Sequence, residues 1–375
     1  MRVLVVVTHL LGAGHLTRAA VLARGFSQAG HEVLLMSGGF PAPHIDTSDL
    51  TLAQLPPVRS DGLDFSTLLN DSQQPITEAW RTARQHEAAR LTGTFRPDVV
   101  ITELYPFGRR QLASEFNAII DAAKKANPEA RIACSIRDIL APPSSAKKAR
   151  KTTEALAKYD SVFVHSDEAV VPLELSWPVD PAWQHKLRYT GFIAPAPPVK
   201  TTPTNEVLVS AGGGAVGREL YKTAAAAARI SPLTWRLLVG GSDAASFCAH
   251  LMQDAPDNLI AEPNRADFRT LLANASASVS MCGYNTCMDL LQTGTPAVIV
   301  PFDDGGETEQ SLRAQGLTAL GGFTVLPSAQ LAAEALVAAL DTSLAAPPRA
   351  TTGINFSGVS EAVRLLGTLK GQHDV

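Results

Sequence analysis

His15 follows the turn Gly12-Ala13-Gly14 and opens a helical stretch. The positive end of a helix disfavours imidazolium, so a ring placed there stays neutral and can accept a proton. A histidine that only caps or packs at a helix start would occupy the same position, and His9 nearby has the same bland alternative. A second turn, Ser210-Ala211-Gly212-Gly213-Gly214-Ala215-Val216-Gly217, lies between a strand and a helix. Consecutive glycines such as Gly213 and Gly214 let backbone N–H groups approach an anion, and the helix start adds a favourable dipole. The alternative is a merely flexible turn. The richest pattern begins at Ser280: a strand end, Gly283, then Asn285 and Thr286 at a helix start and Asp289 one turn on. That order suits a phosphate at Asn285 and Thr286 and a ribose diol at Asp289. Thr308-Glu309-Gln310 follows a loop, and its acid and amide suit sugar hydroxyls.

The elements that must position these residues are legible in the hydrophobic pattern. Val3 to Val7 is an unbroken apolar run, the mark of a strand buried on both faces of a parallel sheet. An amphipathic helix from about Leu16 to Gln28 turns Ala19, Ala20, Leu22, Ala23 and Phe26 inward, and Gly30 closes it. Val33–Met36 is the next strand, completing one βαβ unit. Strands are expected at Thr51–Leu55, Val99–Thr102, Arg131–Ile136 and Ser161–Val164, with helices over about 75–92, 109–126 and 145–158. Four prolines between Ile193 and Asn205 make a stiff linker. Beyond it the alternation restarts, with strands at Glu206–Ser210, Arg236–Val239, Leu259–Ala261, Ala277–Ser280 and Ala297–Val300. The reading is α/β, with two Rossmann-like doubly wound parallel-sheet domains over 1–193 and 204–345. A terminal helix is expected within 350–375, and a ligand cleft at the carboxyl ends of the two sheets.

Composition removes several classes. The chain has 375 residues, 45% of them hydrophobic and 18% charged, which is too apolar for disorder and long enough to bury a core without disulfides. Lys plus Arg is 32 against 36 for Asp plus Glu, so no excess of positive charge supports sequence-independent nucleic-acid binding. Cys134, Cys248, Cys282 and Cys287 form no Cys-x-x-Cys pair or zinc spacing, and read as small buried hydrophobes in a reducing cytosol. The first loop lacks the third glycine of a dinucleotide fingerprint, with Thr17 in its place, and no P-loop sequence occurs. The apolar run at the N-terminus is too short for a signal peptide, and no run of about 18 apolar residues exists. A cytoplasmic protein is expected, with a peripheral membrane contact left open.

The pattern S-x-x-G-x-N-T-x-x-[DE]-x-x-x-x-G-x-P-x-x-x-x-P from Ser280 to Pro301, followed by Glu309-Gln310, resembles the donor-binding region of GT-B glycosyltransferases. It is most similar to the MurG-type N-acetylglucosaminyltransferases of glycosyltransferase family 28, and more loosely to UDP-glucuronosyltransferases. The Gly-x-Gly-His loop and Gly30-His31-Glu32-Val33 resemble the same family's N-terminus. The resemblance covers 3–36, 207–217 and 280–316. It implies a GT-B fold whose first domain binds the acceptor and whose second binds a nucleotide-sugar without a metal or other cofactor. The final helix would pack back on the first domain.

Carried over, His15 takes the place of the catalytic histidine, Glu103 of its orienting carboxylate and Asp138 of a polar acceptor-binding residue. Asp289 takes the place of the ribose acid, and Glu309 and Gln310 of the pair on the sugar. Acids at strand ends also cap helices or pair with a neighbour such as Arg137, so Glu103 and Asp138 keep a structural alternative. The expected activity is inverting transfer of a hexose or N-acetylhexosamine from a UDP-sugar to an acceptor hydroxyl, with leaving-group charge met at Gly213, Gly214, Gly283, Asn285 and Thr286. The family's longer glycine run is shortened here and the peptidoglycan acceptor motif is missing, which leaves the acceptor open. The rival readings are a UDP-sugar hydrolase of the pseudaminic acid pathway type, which shares a similar loop before its histidine, and a nucleotide-sugar-binding protein without catalysis. An epimerase on the same fold lacks a matching carboxylate set.

Overall fold

The structure is a computed structural model that describes residues 1–10, 14–43, 45–60, 67–212, 216–303, 307–347, 349 and 353–370. Gly12 and Ala13 of the first loop, and Gly213 and Gly214 of the second, lie outside the described residues. The chain divides into two compact units, one of Met1–Ser166, Trp177–Ile193 and Ser357–Val375, the other of Asp167–Ser176 and Ala194–Phe356.

In the first unit the order is β1 (Arg2–Val7), α1 (Gly14–Gln28), β2 (Glu32–Gly39), β3 (Thr51–Ser60), β4 (Leu68–Leu69), α2 (Glu78–Phe95) and β5 (Val99–Glu103). Then come α3 (Ala113–Ala126), β6 (Arg131–Arg137), α4 (Ala146–Leu156), β7 (Ser161–His165), α5 (Pro181–Gln184) and β8 (Leu187–Tyr189). The sheet order is β4-β3-β2-β1-β5-β6-β7-β8, parallel except for the short β3–β4 pairing. Strand order reverses between β1 and β5, and a doubly wound sheet opens its ligand crevice at such a point.

The second unit holds β9 (Glu206–Ser210), α6 (Arg218–Ala228), β10 (Thr234–Val239), α7 (Ala244–Leu251), β11 (Leu259–Pro263), α8 (Phe268–Asn274) and β12 (Ala277–Ser280). It continues through α9 (Tyr284–Thr293), β13 (Ala297–Ile299), α10 (Glu309–Thr318), β14 (Phe323–Val325) and α11 (Ala333–Ala345). Its sheet, β11-β10-β9-β12-β13-β14, is wholly parallel and reverses between β9 and β12. The last element among the described residues is α12 (Gly358–Lys370).

Each unit has its own core. Val3, Val5 and Val7 of β1 are buried with Phe26 of α1, Ile101 of β5 and Phe163 of β7. Ala362, Leu365, Leu366 and Leu369 of α12 complete that cluster. Gly25 is where α12 crosses α1: a Cβ there would stand 2.2 Å from Val359 Cγ1, so only glycine permits the approach. The second core gathers Val207, Val209, Tyr221, Trp235, Leu237, Val279 and Val298 under α6 and α11.

Two boundaries differ from the sequence reading. β3 runs through Pro56 and Pro57 to Ser60, where the pattern alone ends it at Leu55. The β2–β3 register shifts between Ser37 and Gly39, and the missing proline N–H groups cost little at such an irregularity near a sheet edge. Asp167–Ser176 lies in the second unit although it falls inside 1–193. Gly316 of α10 explains this: a Cβ there would meet Val170 O at 2.8 Å, Val171 at 3.2 Å and Leu175 at 3.3 Å. Asp167 Oδ2 also accepts from Asn355 N at 2.8 Å. No helix among the described residues is long and apolar enough to cross a membrane.

Candidate functional site

Candidate residues from the sequence lie at both reversal points. At the first, His15 in the opening turn of α1 meets Glu103, the last residue of β5, with Nδ1 to Oε1 at 2.8 Å. Adjacent parallel strands bring the two positions together across 88 residues of chain. Arg18, one turn after His15 on the same helix face, also donates to Glu103 Oε1 through Nη2. Glu103 is 1% exposed, and burial alone would raise its carboxyl pKa. His15 and Arg18 overcome that cost and hold it down at about 2, so it is ionised near neutrality. Burial pulls the His15 pKa below its ordinary value more strongly than Glu103 raises it. A neutral ring facing a carboxylate donates from Nδ1 and leaves Nε2 with its lone pair. Nε2 has no hydrogen-bond partner among the described residues, and the side chain is 21% exposed. That is the arrangement of a positioned general base.

Asp138 directly follows β6 and is 0% exposed, so it presents no surface to an acceptor. His165, at the end of β7, is buried between Ser135 Oγ at 2.8 Å on Nε2 and Thr190 Oγ1 at 2.8 Å on Nδ1. Burial lowers its pKa to about 3, and burial lowers that of His9 as well.

These shifts all act in one direction on stability. Each histidine has a folded pKa below its unfolded value near 6.5, so the unfolded chain binds more protons as the pH falls. The stability they contribute is present above 6.5 and lost below it, while that of Glu103 is lost as the pH falls from 4.5 towards 2. His165 alone is expected to remove about 2 kcal/mol by pH 5, at 1.36 kcal/mol per unit. Thermal melts from pH 7.5 to 5 should show a falling midpoint in wild type and a flatter profile in His165→Gln. Parallel profiles would remove His165 from the account.

At the second reversal point, Gly212 follows β9 in left-handed backbone (φ +88°), with open space where a side chain would stand. Tyr221 of α6 fixes this strand end: its hydroxyl accepts from Ala211 N at 2.9 Å and donates to Leu238 O at 2.6 Å. Across the switch, α9 begins after Gly283, whose glycine at the N-cap brings no side chain to its first turn. A Cβ on Gly283 would meet nothing within 4 Å, and the side chains of Asn285 and Thr286 form no hydrogen bond among the described residues. The N–H groups of Asn285 and Thr286 have no partner among the described residues and face an anion with the helix dipole behind them. Cys282 and Cys287 sit beneath it as buried thiols with Sγ atoms 3.3 Å apart, and all four cysteines are buried and outside any disulfide.

Asp289 is 7% exposed and engaged, because Arg269 Nε donates to its Oδ1 at 2.6 Å. The same guanidinium reaches Ala196 O at 2.8 Å and Gln292 Oε1 at 2.7 Å, tying α8 and α9 to the proline-rich linker. The Oδ2 of Asp289 makes no protein hydrogen bond among the described residues. Gln310 Oε1 accepts from Cys282 N at 2.8 Å and Phe302 N at 3.1 Å, so that oxygen braces the turn before α9. Glu309 Oε1 accepts from the buried Arg313, which also donates to Cys282 O at 2.7 Å.

Residues 223–363 match the C-terminal domain of glycosyltransferase family 28. The match covers most of the second unit and the start of α12. The MurG-like resemblance is borne out by local similarity to UDP-N-acetylglucosamine–N-acetylmuramyl-(pentapeptide) pyrophosphoryl-undecaprenol N-acetylglucosamine transferases. That of Agrobacterium fabrum is 30% identical over 87 residues, 23% of this chain and 23% of the relative. That of Alkalilimnicola ehrlichii is 33% identical over 75 residues, 20% of this chain and 21% of the relative. The chain thus spans about a quarter of the length of these relatives in the matched stretch.

Solved structures extend the likeness to the whole fold. The calicheamicin glycosyltransferase superposes with a TM-score of 0.65 at 15% identity, over 100% of both chains. MurG of Acinetobacter baumannii gives 0.61 at 15% identity, over 99% of this chain and 95% of that one. The fold is GT-B, as the sequence motifs implied.

Sequence reasoning did not reach Arg18, Arg109, Arg269 or Arg313. For Arg18 and Arg313 a signal existed, since each lies one helical turn after a singled-out residue, His15 and Glu309. Arg109 and Arg269 carry no such local signal.

Proposed function

We propose that this protein is an inverting, metal-independent glycosyltransferase that moves a hexose or N-acetylhexosamine from a UDP-sugar to an acceptor hydroxyl. The observation that carries the reading is the His15–Glu103 pair at the first reversal point, on a chain that matches the family 28 C-terminal domain over residues 223–363. His15 Nε2 takes the acceptor proton as the hydroxyl attacks the anomeric carbon from the face opposite the leaving group. Glu103 keeps the ring in the accepting tautomer and stabilises the imidazolium as it forms. The departing diphosphate is met by the first turn of α9, whose fixed N–H dipoles supply the positive field a divalent ion would otherwise give. The curated relatives are named as transferases, and nothing in them favours the hydrolase reading.

The nucleotide is the testable part of the donor. The relatives are named for UDP-N-acetylglucosamine, while one GT-B neighbour, the spinosyn rhamnosyltransferase, was solved with thymidine diphosphate. Those nucleotides differ at the ribose 2′ position, where Asp289 Oδ2 is assigned. A carboxylate accepting from ribose hydroxyls contributes about 1.5–3 kcal/mol, so Asp289→Ala is expected to weaken UDP binding roughly 10- to 150-fold. The loss should lie in KM and be much smaller for 2′-deoxy-UDP, which already lacks part of the bond. Isothermal titration of both nucleotides decides the matter. Equal losses would mean that Asp289 serves only to hold Arg269.

A further inference from the structure

The turn that opens α9 is bracketed by two thiols. Cys282 follows β12 and Cys287 stands in the first turn of α9, so Gly283, Tyr284, Asn285 and Thr286 lie between them. The bond from Cys287 N to Gly283 O, at 3.0 Å, winds the chain back so that the two side chains meet. Their Sγ atoms are 3.3 Å apart, within reach of an S–H donated from one sulfur to the other. Both thiols are wholly buried, but their cover is thin. Asn285 between them is exposed, Gly283 is half-buried, and open space stands where a Gly283 side chain would be. Cys134 in β6 and Cys248 in α7 are each the one cysteine of their element.

The backbone at Cys282 is held from α10. Gln310 Oε1 accepts from Cys282 N at 2.8 Å, and Arg313 donates to Cys282 O at 2.7 Å. With that end fixed, any movement of the two sulfurs must be absorbed between 283 and 287. A sulfur–sulfur bond is about 2.0 Å long, so the pair would close by about 1.3 Å from its 3.3 Å separation. The segment that must give carries the N–H groups of Asn285 and Thr286, the donors assigned to the departing diphosphate. A displacement of about 1 Å can cost a site of fixed geometry about a hundredfold.

We infer that Cys282 and Cys287 are a site of reversible oxidation, closed by a peroxide to a disulfide that distorts this turn and lowers its affinity for the donor diphosphate. One sulfur, as thiolate, attacks an oxygen of hydrogen peroxide. The O–O bond breaks, a sulfenic acid forms, and the departing hydroxide leaves as water with the thiol's proton. The second sulfur then attacks the first, the S–S bond forms, and the sulfenic oxygen leaves as a second water with the second thiol's proton. The two thiols together lose two electrons, and the peroxide gains them. The effect on the donor rests on the proposed reading of the turn as the diphosphate site, whereas the disulfide itself does not.

The test treats the full chain with hydrogen peroxide and then with dithiothreitol, and follows it by mass spectrometry and by UDP titration. Trypsin cutting at Arg269 and Arg313 releases residues 270–313, which hold Cys282 and Cys287 and neither of the other cysteines. After peroxide this fragment is expected to be lighter by two hydrogens, and UDP binding to be weaker by roughly tenfold or more, both restored by dithiothreitol. In Cys287→Ala the UDP affinity should no longer respond to peroxide, and should that variant fail to fold, Cys282→Ala is expected to behave in the same way. A fragment that keeps its mass, or a UDP affinity equal before and after disulfide formation, would overturn the inference. So would a loss that dithiothreitol leaves in place, which would put the damage on Met281 or Met288 of the same fragment. Absence of UDP binding in the reduced protein would instead strike the donor reading, and the fragment mass then decides the disulfide by itself.

Discussion

His15→Ala is expected to lower transfer by about 10²–10⁴-fold while UDP affinity stays nearly intact. At 1.36 kcal/mol per decade that is about 2.7–5.4 kcal/mol of transition-state stabilisation, the usual worth of one positioned base. The two effects separate because His15 belongs to the first unit and the first turn of α9 to the second. Glu103→Gln should reproduce part of the loss in kcat, since a neutral amide still meets the ring but no longer stabilises the imidazolium. His15→Gln keeps a hydrogen-bonding group at the helix start and should be as inactive as alanine. Steady-state transfer assays with parallel UDP titration read these outcomes. Turnover within a few-fold of wild type in both His15 variants would mean that His15 only packs at the start of α1.

The second large effect is on stability. Arg84 of α2 and Glu115 of α3 form a buried ion pair, with Nε to Oε2 at 2.5 Å and Nη2 to Oε1 at 3.1 Å. The guanidinium also donates to Gly38 O at 3.0 Å and to Pro56 O, so a single side chain joins both helices to the end of β2 and the middle of β3. Removing one partner from such a pair leaves an uncompensated buried charge, at a cost of about 3–5 kcal/mol. Glu115→Ala should therefore lower the urea midpoint strongly with little change in slope. The double variant Arg84→Met/Glu115→Ala should cost less than the sum of the singles, because it removes the stranded charge. A loss below about 1 kcal/mol in Glu115→Ala would show that water reaches the guanidinium and replaces the acid.

Much of this molecule is written locally. Apolar runs such as Val3–Val7 and Val99–Ile101 exclude water on both faces only inside a parallel sheet, so their alternation with amphipathic helices fixes two α/β units. The turns before His15 and around Gly283 announce themselves because glycine between an apolar run and an amphipathic stretch is a punctuation mark read within a few residues. The family 28 motif from Ser280 to Pro301 is of the same kind, being one strand, one turn and one helix read in order. Legibility fails where a property depends on a partner distant in the chain. Glu103 and Asp138 look alike from the sequence, each an acid at a strand end, and only the adjacency of β1 and β5 turns one towards His15 while the other is buried out of reach. Asp289 gives no hint of Arg269, nor Gln310 of the backbone it braces, because those bonds are settled by side-chain packing between helices. Asp167–Ser176 crosses to the second unit for a similar reason: its valines fit the notch at Gly316, and no periodicity within ten residues encodes a fit. Periodicity and turn chemistry are summed over neighbouring residues and so can be read from the sequence, whereas ion pairing and close packing depend on which elements the fold brings side by side.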